Sequence, residues 1–174
     1  MATQSIISVK TYNIEGIEIL REVFKKLSQR FQDVKSSSIY IVKMTEQPKA
    51  VHNITQNDNF EGLATVLAFI CTCTANELSS YLKDLQKQVD RERKSQLKLK
   101  ILTFGNEVRM TPQLNLPHPD FHTLPEELVP AAEVMPQAIH PVLKRSLFDL
   151  SKDLKSVSWG QFYAQGKTLL DKGQ

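Results

Sequence analysis

The sequence has no apolar run long enough to cross a bilayer. Its longest, residues 63–73, is interrupted by Thr65 and falls well short of the ~20 residues a spanning helix needs. No basic stretch precedes an apolar one in Met1-Ala2-Thr3-Gln4-Ser5, so the start does not read as a secretory signal, and a cytoplasmic address with no membrane partner is the expectation. Cysteine is equally scarce. Cys71 and Cys73 alternate on an apparent strand and point to the same face, where a disulfide does not close easily. They read as buried thiols ahead of a metal or redox pair. The aromatics are scattered rather than interleaved with Lys and Arg, and a net charge of +3 is only mildly basic, so nucleic acid is not an expected partner. With six glycines there is neither a P-loop nor a G-x-G-x-x-G turn, and no Ser, Cys or Lys sits in a recognisable nucleophile motif.

What is present is the pattern of one globular domain. A length of 174 residues suffices for a continuous core without disulfides or metal staples. The proportions of 41% hydrophobic and 24% charged residues exclude wholesale disorder. Residues 5–9 read as a β-branched strand, and residues 15–31 as an amphipathic helix with Ile17, Ile19, Leu20, Val23, Phe24 and Leu27 at helical spacing. Strands are expected over 34–42 and 62–72, joined by a loop holding Pro48, Asn53, Asn57 and Asp58. Thr74 and Glu77 form a capping box ahead of Leu78, Tyr81, Leu82, Leu85 and Val89, the best-signed helix of the chain. Residues 97–102 alternate with period two, and Gly105-Asn106 supplies a hairpin turn before Val108. Beyond lie a proline-rich stretch, a short helix near 126–134 and a final helix near 146–154. The order βαββαβ predicts an α+β, ferredoxin-like core with an antiparallel sheet and helices on its faces, spanning about 4–136, and a C-terminal extension over about 137–174.

Residues 97–136 read LKLKILTFGNEVRMTPQLNLPHPDFHTLPEELVPAAEVMP. The turn Phe104-Gly105-Asn106, Leu114, Pro117-His118, Val129-Pro130, Glu133-Val134 and Pro136 resemble hydroxymethyldihydropterin pyrophosphokinase, the folate-pathway family that moves pyrophosphate from ATP to a pterin alcohol. The strong match covers about a quarter of the chain, and the βαββαβ order extends it weakly to the rest. The resemblance implies the fold directly. It implies the chemistry less well, because the two metal-binding aspartates of the family fall on Lys98 and Lys100. Pyrophosphoryl transfer uses Mg²⁺ held by hard carboxylate oxygen, which an ammonium cannot supply. Two positive charges on one strand face should repel the cation.

Other positions implied by the resemblance depart in the same direction. The Gly-Ser-Asn signature after the first strand appears as Thr11-Tyr12-Asn13, the pterin-contacting Asn of the third strand as Gly62, and the acidic helix position as Gln86. The segment between Arg93 and Leu97 is shorter than usual, which removes a lid of the kind that completes a catalytic site. Arg91, Arg93 and His118 remain matchable. Arg91, Arg93, Lys94, Lys98 and Lys100, with His118, could therefore form an anion pocket for a phosphate-bearing ligand, lysine charge replacing metal charge. The competing reading is a solvated basic edge interspersed with Asp90 and Glu92.

His118 and His122 stand four apart, but Pro117 and Pro119 argue against the helix a zinc pair would need. His52 and His140 read as surface loop residues. Glu126 and Glu127 sit at a helix start, where acidic side chains suit the dipole. Trp159, Phe162 and Tyr163 could anchor the tail on the sheet or face a partner. The leading expectation is a divergent pterin pyrophosphokinase fold without the reaction, with no cofactor, acting through a phosphate-bearing ligand or a protein partner. The alternatives are an active enzyme using Mg²⁺ and ATP with acids such as Asp120 or Glu107, and an oligomeric scaffold built on a sheet edge or the tail.

Overall fold

The computed structural model describes residues 1–44, 61–94 and 96–170; the expected loop with Pro48 and His52 lies outside them. In chain order the elements are β1 (Thr3–Thr11), α1 (Ile17–Arg30), β2 (Gln32–Ser36), β3 (Ile39–Lys43), β4 (Glu61–Cys71), α2 (Ala75–Arg93), β5 (Leu97–Phe104), β6 (Arg109–Met110), β7 (Asn115–Leu116), α3 (Pro125–Val134), α4 (Leu147–Lys152) and β8 (Gly160–Ala164). The main sheet runs β5-β1-β4-β3-β8, with β2 also paired to β4, and its pairings are antiparallel.

The expected third element is two strands. Ser37 and Ser38 interrupt it: Ser37 Oγ accepts from Val66 N–H and Ser36 and Ser37 hydroxyls pair with Thr65, so side chains take over where the backbone ladder breaks. With β2 and β3 counted as one interrupted strand along β4, the core is βαββαβ, the expected α+β ferredoxin-like arrangement.

Strand alternation places side chains on two faces. One face of β1, β4 and β5 carries Ile7, Val9, Leu63, Leu67, Phe69, Leu97 and Ile101, buried beneath the apolar stripes of α1 and α2. The other carries Ile6, Val66, Ala68 and Leu102, packed against Leu128, Ala131 and Ala132 of α3 and Leu147 and Leu150 of α4. β4 thus turns its bulky residues toward the helical pair and its small ones toward α3, which lets α3 approach the sheet closely. The Thr74–Glu77 capping box forms at the start of α2.

Gly105 adopts φ +54°, and Glu107 N–H closes the turn on Phe104 O. The expected hairpin does not follow: the chain leaves β5 and forms a separate two-stranded sheet, β6 with β7. His140 is a second correction. It is 2% exposed and stacked on Phe121, and its Nδ1 accepts from Val142 and Leu143 N–H, so the ring is buried beneath a turn that itself stays exposed. Cys71 is buried and Cys73 half-buried; burial first, then the hydrogen bond with Cys71, pushes the Cys73 thiol up to about 11.

The tail docks on its own domain more firmly than helical periodicity alone could indicate. β8 pairs with β3, and the Trp159 ring lies 4.8 Å from that of Tyr40. Tyr40 O–H donates to Glu133 Oε2 (2.9 Å), and Ser38 N–H donates to Oε1 (2.8 Å), so the motif residue Glu133 ties α3 to β3. Burial first, then the bond to Glu133, pushes the Tyr40 phenol up to about 12. A raised phenol stabilises the fold fully below the ordinary value of ~10 and loses that contribution as pH climbs through the folded value. In Glu133→Gln the phenol should ionise at lower pH while staying above ~10 through burial. Ultraviolet titration against a Tyr40→Phe control reads this, and an unchanged titration would remove Glu133 as a cause.

Candidate functional site

β1 and β5 pair with Lys10 opposite Lys98 and Ser8 opposite Lys100, so alternation brings three lysines to the sheet face that α3 covers. Like charges facing one another across strands are unfavourable, and here they lie under a helix. The counter-charge comes from the first turn of α3. Glu127 is fully buried; its Oε1 lies 2.6 Å from Lys100 Nζ and 3.4 Å from Lys10 Nζ, and Glu126 Oε1 lies 3.6 Å from Lys10 Nζ. The lysine side chains are only 18% and 13% exposed. Glu127 also gains from its place at the helix N-terminus, where the backbone dipole favours an anion. Its second oxygen, Oε2, has no hydrogen-bond partner among the described residues.

His118 completes this corner. It follows a cis Leu116–Pro117 bond, its N–H donates to Leu102 O (2.9 Å) at the β5 edge, and its Nδ1 accepts from Asp120 N–H (3.3 Å). Burial first, then the Lys100 ammonium, holds the imidazole below the ordinary histidine range, while Glu127 and Asp120 oppose the shift. A neutral ring whose Nδ1 is an acceptor carries its proton on Nε2.

The residues singled out from the sequence therefore divide. Lys98, Lys100 and His118 share the α3 side of the sheet, with Lys10 added. Arg93 lies on the other layer, donating to Glu22 of α1 (2.8 Å), and Arg91 and Lys94 are exposed at the end of α2. Lys100 is not a solvated edge lysine, and Glu127 is more than a dipole residue: it is the buried partner of that lysine. His122 lies beside His140, ring centres 5.9 Å apart. Among the described residues no three of His, Cys, Asp and Glu are grouped to hold a metal. Glu107 is paired with Arg109.

The donor set does not fit Mg²⁺. That ion wants near-octahedral hard oxygen ligands and carboxylate charge, whereas the one fully buried carboxylate oxygen pair here already faces two ammonium groups through Oε1. The other departures also have structural causes. A Cβ on Gly62 would fall on the Thr11 carbonyl oxygen, so no asparagine fits there without backbone movement. Gln86 Oε1 accepts from Leu99 N–H (3.1 Å) and Asp90 Oδ1 from Leu97 N–H (2.7 Å), so two α2 side chains cap the outer edge of β5. Asn13 Oδ1 accepts from Glu15 N–H (2.9 Å), a local turn bond.

No protein-family model and no curated protein sequence matches this chain. Solved structures do match in fold. The wild-type Plasmodium falciparum HPPK-DHPS crystal structure superposes with a TM-score of 0.67 at 11% identity, over 90% of this chain and 45% of that one. The same protein with pterin and p-hydroxybenzoate gives a TM-score of 0.63 at 12% identity, over 90% of this chain and 42% of that one. This chain thus has the HPPK-like, pterin pyrophosphokinase fold and spans less than half the length of those structures.

Removing one partner from a buried ion pair leaves the other unsatisfied, whereas replacing both with apolar groups is often neutral. Glu127→Gln should therefore cost about 3 kcal/mol, near the lower end for such breaks because the lysine heads are partly solvated. Glu127→Leu combined with Lys100→Leu should recover much of it. Chemical denaturation checks this, and a double variant no better than Glu127→Gln would refute the pairing. Gly62→Asn should lower stability by about 1–3 kcal/mol through overpacking against β1, read in the same experiment; an unchanged midpoint would mean that β1 yields freely.

Proposed function

We propose that this chain is a cytoplasmic binding protein on a pterin pyrophosphokinase fold, with the metal-dependent reaction given up. The observation that carries the proposal is the 2.6 Å contact between Lys100 Nζ and Glu127 Oε1. Where the resemblance implies carboxylates that gather Mg²⁺, this chain holds lysine, and the nearest buried carboxylate neutralises that lysine instead. The charge of the corner is thus largely satisfied from within. A polyphosphate arriving there would compete with Glu127 for Lys100 and Lys10, and no metal would offset its repulsion from Glu127 and Asp120.

The short α2–β5 connection and Gly62 support the same reading, since neither a lid nor the side-chain contact expected for a pterin has room. Lys98, Lys100 and His118 remain as the contacts a single phosphate could use, while Arg93 is engaged by Glu22 of α1 and Arg91 is exposed at the end of α2. The binding role fits a protein partner better than a free nucleotide. The active-enzyme alternative rests on Asp120, the acid beside His118.

Purified protein given ATP, Mg²⁺ and 6-hydroxymethyl-7,8-dihydropterin should form no AMP and no pterin diphosphate, and calorimetry should give the same weak or null ATP signal with and without Mg²⁺. Mg²⁺-dependent turnover that Asp120→Lys abolishes would overturn the proposal.

A further inference from the structure

The turn that joins α3 to α4 closes around one side chain. Ile139 bridges Ser146, His140 N–H donates to Arg145 O (2.9 Å) and Lys144 N–H to His140 O (2.9 Å). Residues 142–145 are exposed, so the turn has little apolar burial of its own to hold it shut. Lys144 has φ +58°, a left-handed backbone that a lysine keeps only where its surroundings impose it. The anchor is His140. Val142 and Leu143 N–H both point at its Nδ1, at 3.3 and 3.1 Å, and that nitrogen accepts them only while it carries no proton. The ring is therefore neutral with its proton on Nε2, which is buried and has no hydrogen-bond partner among the described residues. A second proton, on Nδ1, would face two N–H donors, and the resulting imidazolium would find an acceptor at neither nitrogen.

The charges around the ring do not relieve this. His122, from the turn before α3, stands edge-on to it with ring centres 5.9 Å apart. Lys144 and Arg145 on the turn itself are cationic. The nearby carboxylates after and within α4 are held by other cations, Asp153 by Arg145 (2.8 Å) and Asp149 by Lys152 (3.2 Å). Burial first, then His122, holds the His140 imidazole below the ordinary histidine range.

We infer that residues 139–146 are an acid-released latch: the turn is closed over neutral His140 and opens when the ring takes up a second proton, uncovering the face of Phe121 on which that ring lies. Local opening is the response because the turn gives up only the burial of His140 and Pro141, while Leu128, Leu147 and Leu150 keep their own core. The opened ring titrates near the ordinary value of ~6.5 and the closed ring below it. The closed turn is thus fully favoured above that value and loses about tenfold per pH unit as pH falls from there toward the closed-state value. His122 deepens the loss by opposing charge on His140. The latch is separate from the lysine corner, so neither ATP turnover nor its absence bears on it.

Amide hydrogen exchange of the full chain, followed by NMR from about pH 7.5 to about 5 and referred to each amide's intrinsic rate, should show Val142 and Leu143 losing protection by up to about tenfold per pH unit below ~6.5. Leu67 of β4 and Leu82 of α2 should stay protected. His140→Asn sets a carbonyl oxygen that does not titrate near the place of Nδ1 and should keep both turn amides protected across the range, and His122→Asn should reduce the total loss. Nitrogen-15 shifts of the wild-type imidazole should give His140 as the Nε2–H tautomer at neutral pH and show it titrating together with the amide loss, a readout that stands even where His140→Asn fails to fold. The inference is overturned by turn protection that does not change with pH, by an Nδ1–H tautomer, by the same acid loss in folded His140→Asn, or by Leu67 losing protection in step with the turn.

Discussion

A buried carboxylate between two lysines governs how this molecule is put together. Without Glu127, the face of β1 and β5 that carries Lys10, Lys98 and Lys100 would be covered by α3 at a cost, because Lys100 would lose its buried counter-ion and only Glu126 would remain beside Lys10. With it, the first turn of α3 is fixed over the strands by charge, and Leu128, Ala131 and Ala132 seat the remainder by packing against the small residues of β4. Glu133, one turn and a half further on, completes the attachment through Ser38 and Tyr40. The charged corner and the second core are thus one construction. The helix start supplies the anion, the strand alternation supplies the cations, and the apolar turn between them fills the space.

Local signals in the sequence were good guides wherever local physics decides the outcome. The Thr74–Glu77 box, the stripe of α1 and the alternation of β5 rest on side chains within a few residues of one another, and each element forms where its pattern lies. The interrupted β2–β3 strand was legible only as a serine run, because the break depends on Thr65 and Val66 of another strand. The Gly105 turn was correct while the hairpin was not: a turn is local, but the choice of pairing partner is made by β7, several residues further on. β8 is not legible in the sequence for a related reason. Its short Gly160–Ala164 segment has little alternation to read, and its place is set by β3 and by the Trp159–Tyr40 contact.

The candidate site was half legible. The substitution of lysine at 98 and 100 was plain, and so was its conflict with Mg²⁺. What could not be seen was the compensation, because Glu127 lies 27 residues from Lys100 in sequence and looks like an ordinary helix-start acid. Lys10 carries no signal of its own in the sequence: the alternation Ile6, Ser8, Lys10 gives it a face, and only the β1–β5 register makes that face common to Lys98 and Lys100. His140 illustrates the opposite error. A polar residue among prolines suggests a surface loop, yet the ring of His140 is stacked on the buried Phe121 and lends its Nδ1 to two turn N–H groups.

These contacts also explain why the departures from the pyrophosphokinase pattern hold together. An aspartate at position 100 would take from Glu127 its nearest cation and set a second negative charge on the face that α3 covers. Restoring that acid alone would therefore weaken the attachment of α3 before it recruited a metal. An asparagine at 62 meets the Thr11 carbonyl, and an acid at 86 would set a charge where a neutral amide oxygen now accepts the Leu99 N–H. Each position is bound to its neighbour by packing or charge, so a carboxylate metal site at this corner would require changes at Lys98, Lys100, Glu127 and Gly62 together. The charge pairing is built into the scaffold itself, because the carboxylate that neutralises Lys100 and Lys10 also fixes the first turn of α3 on the sheet.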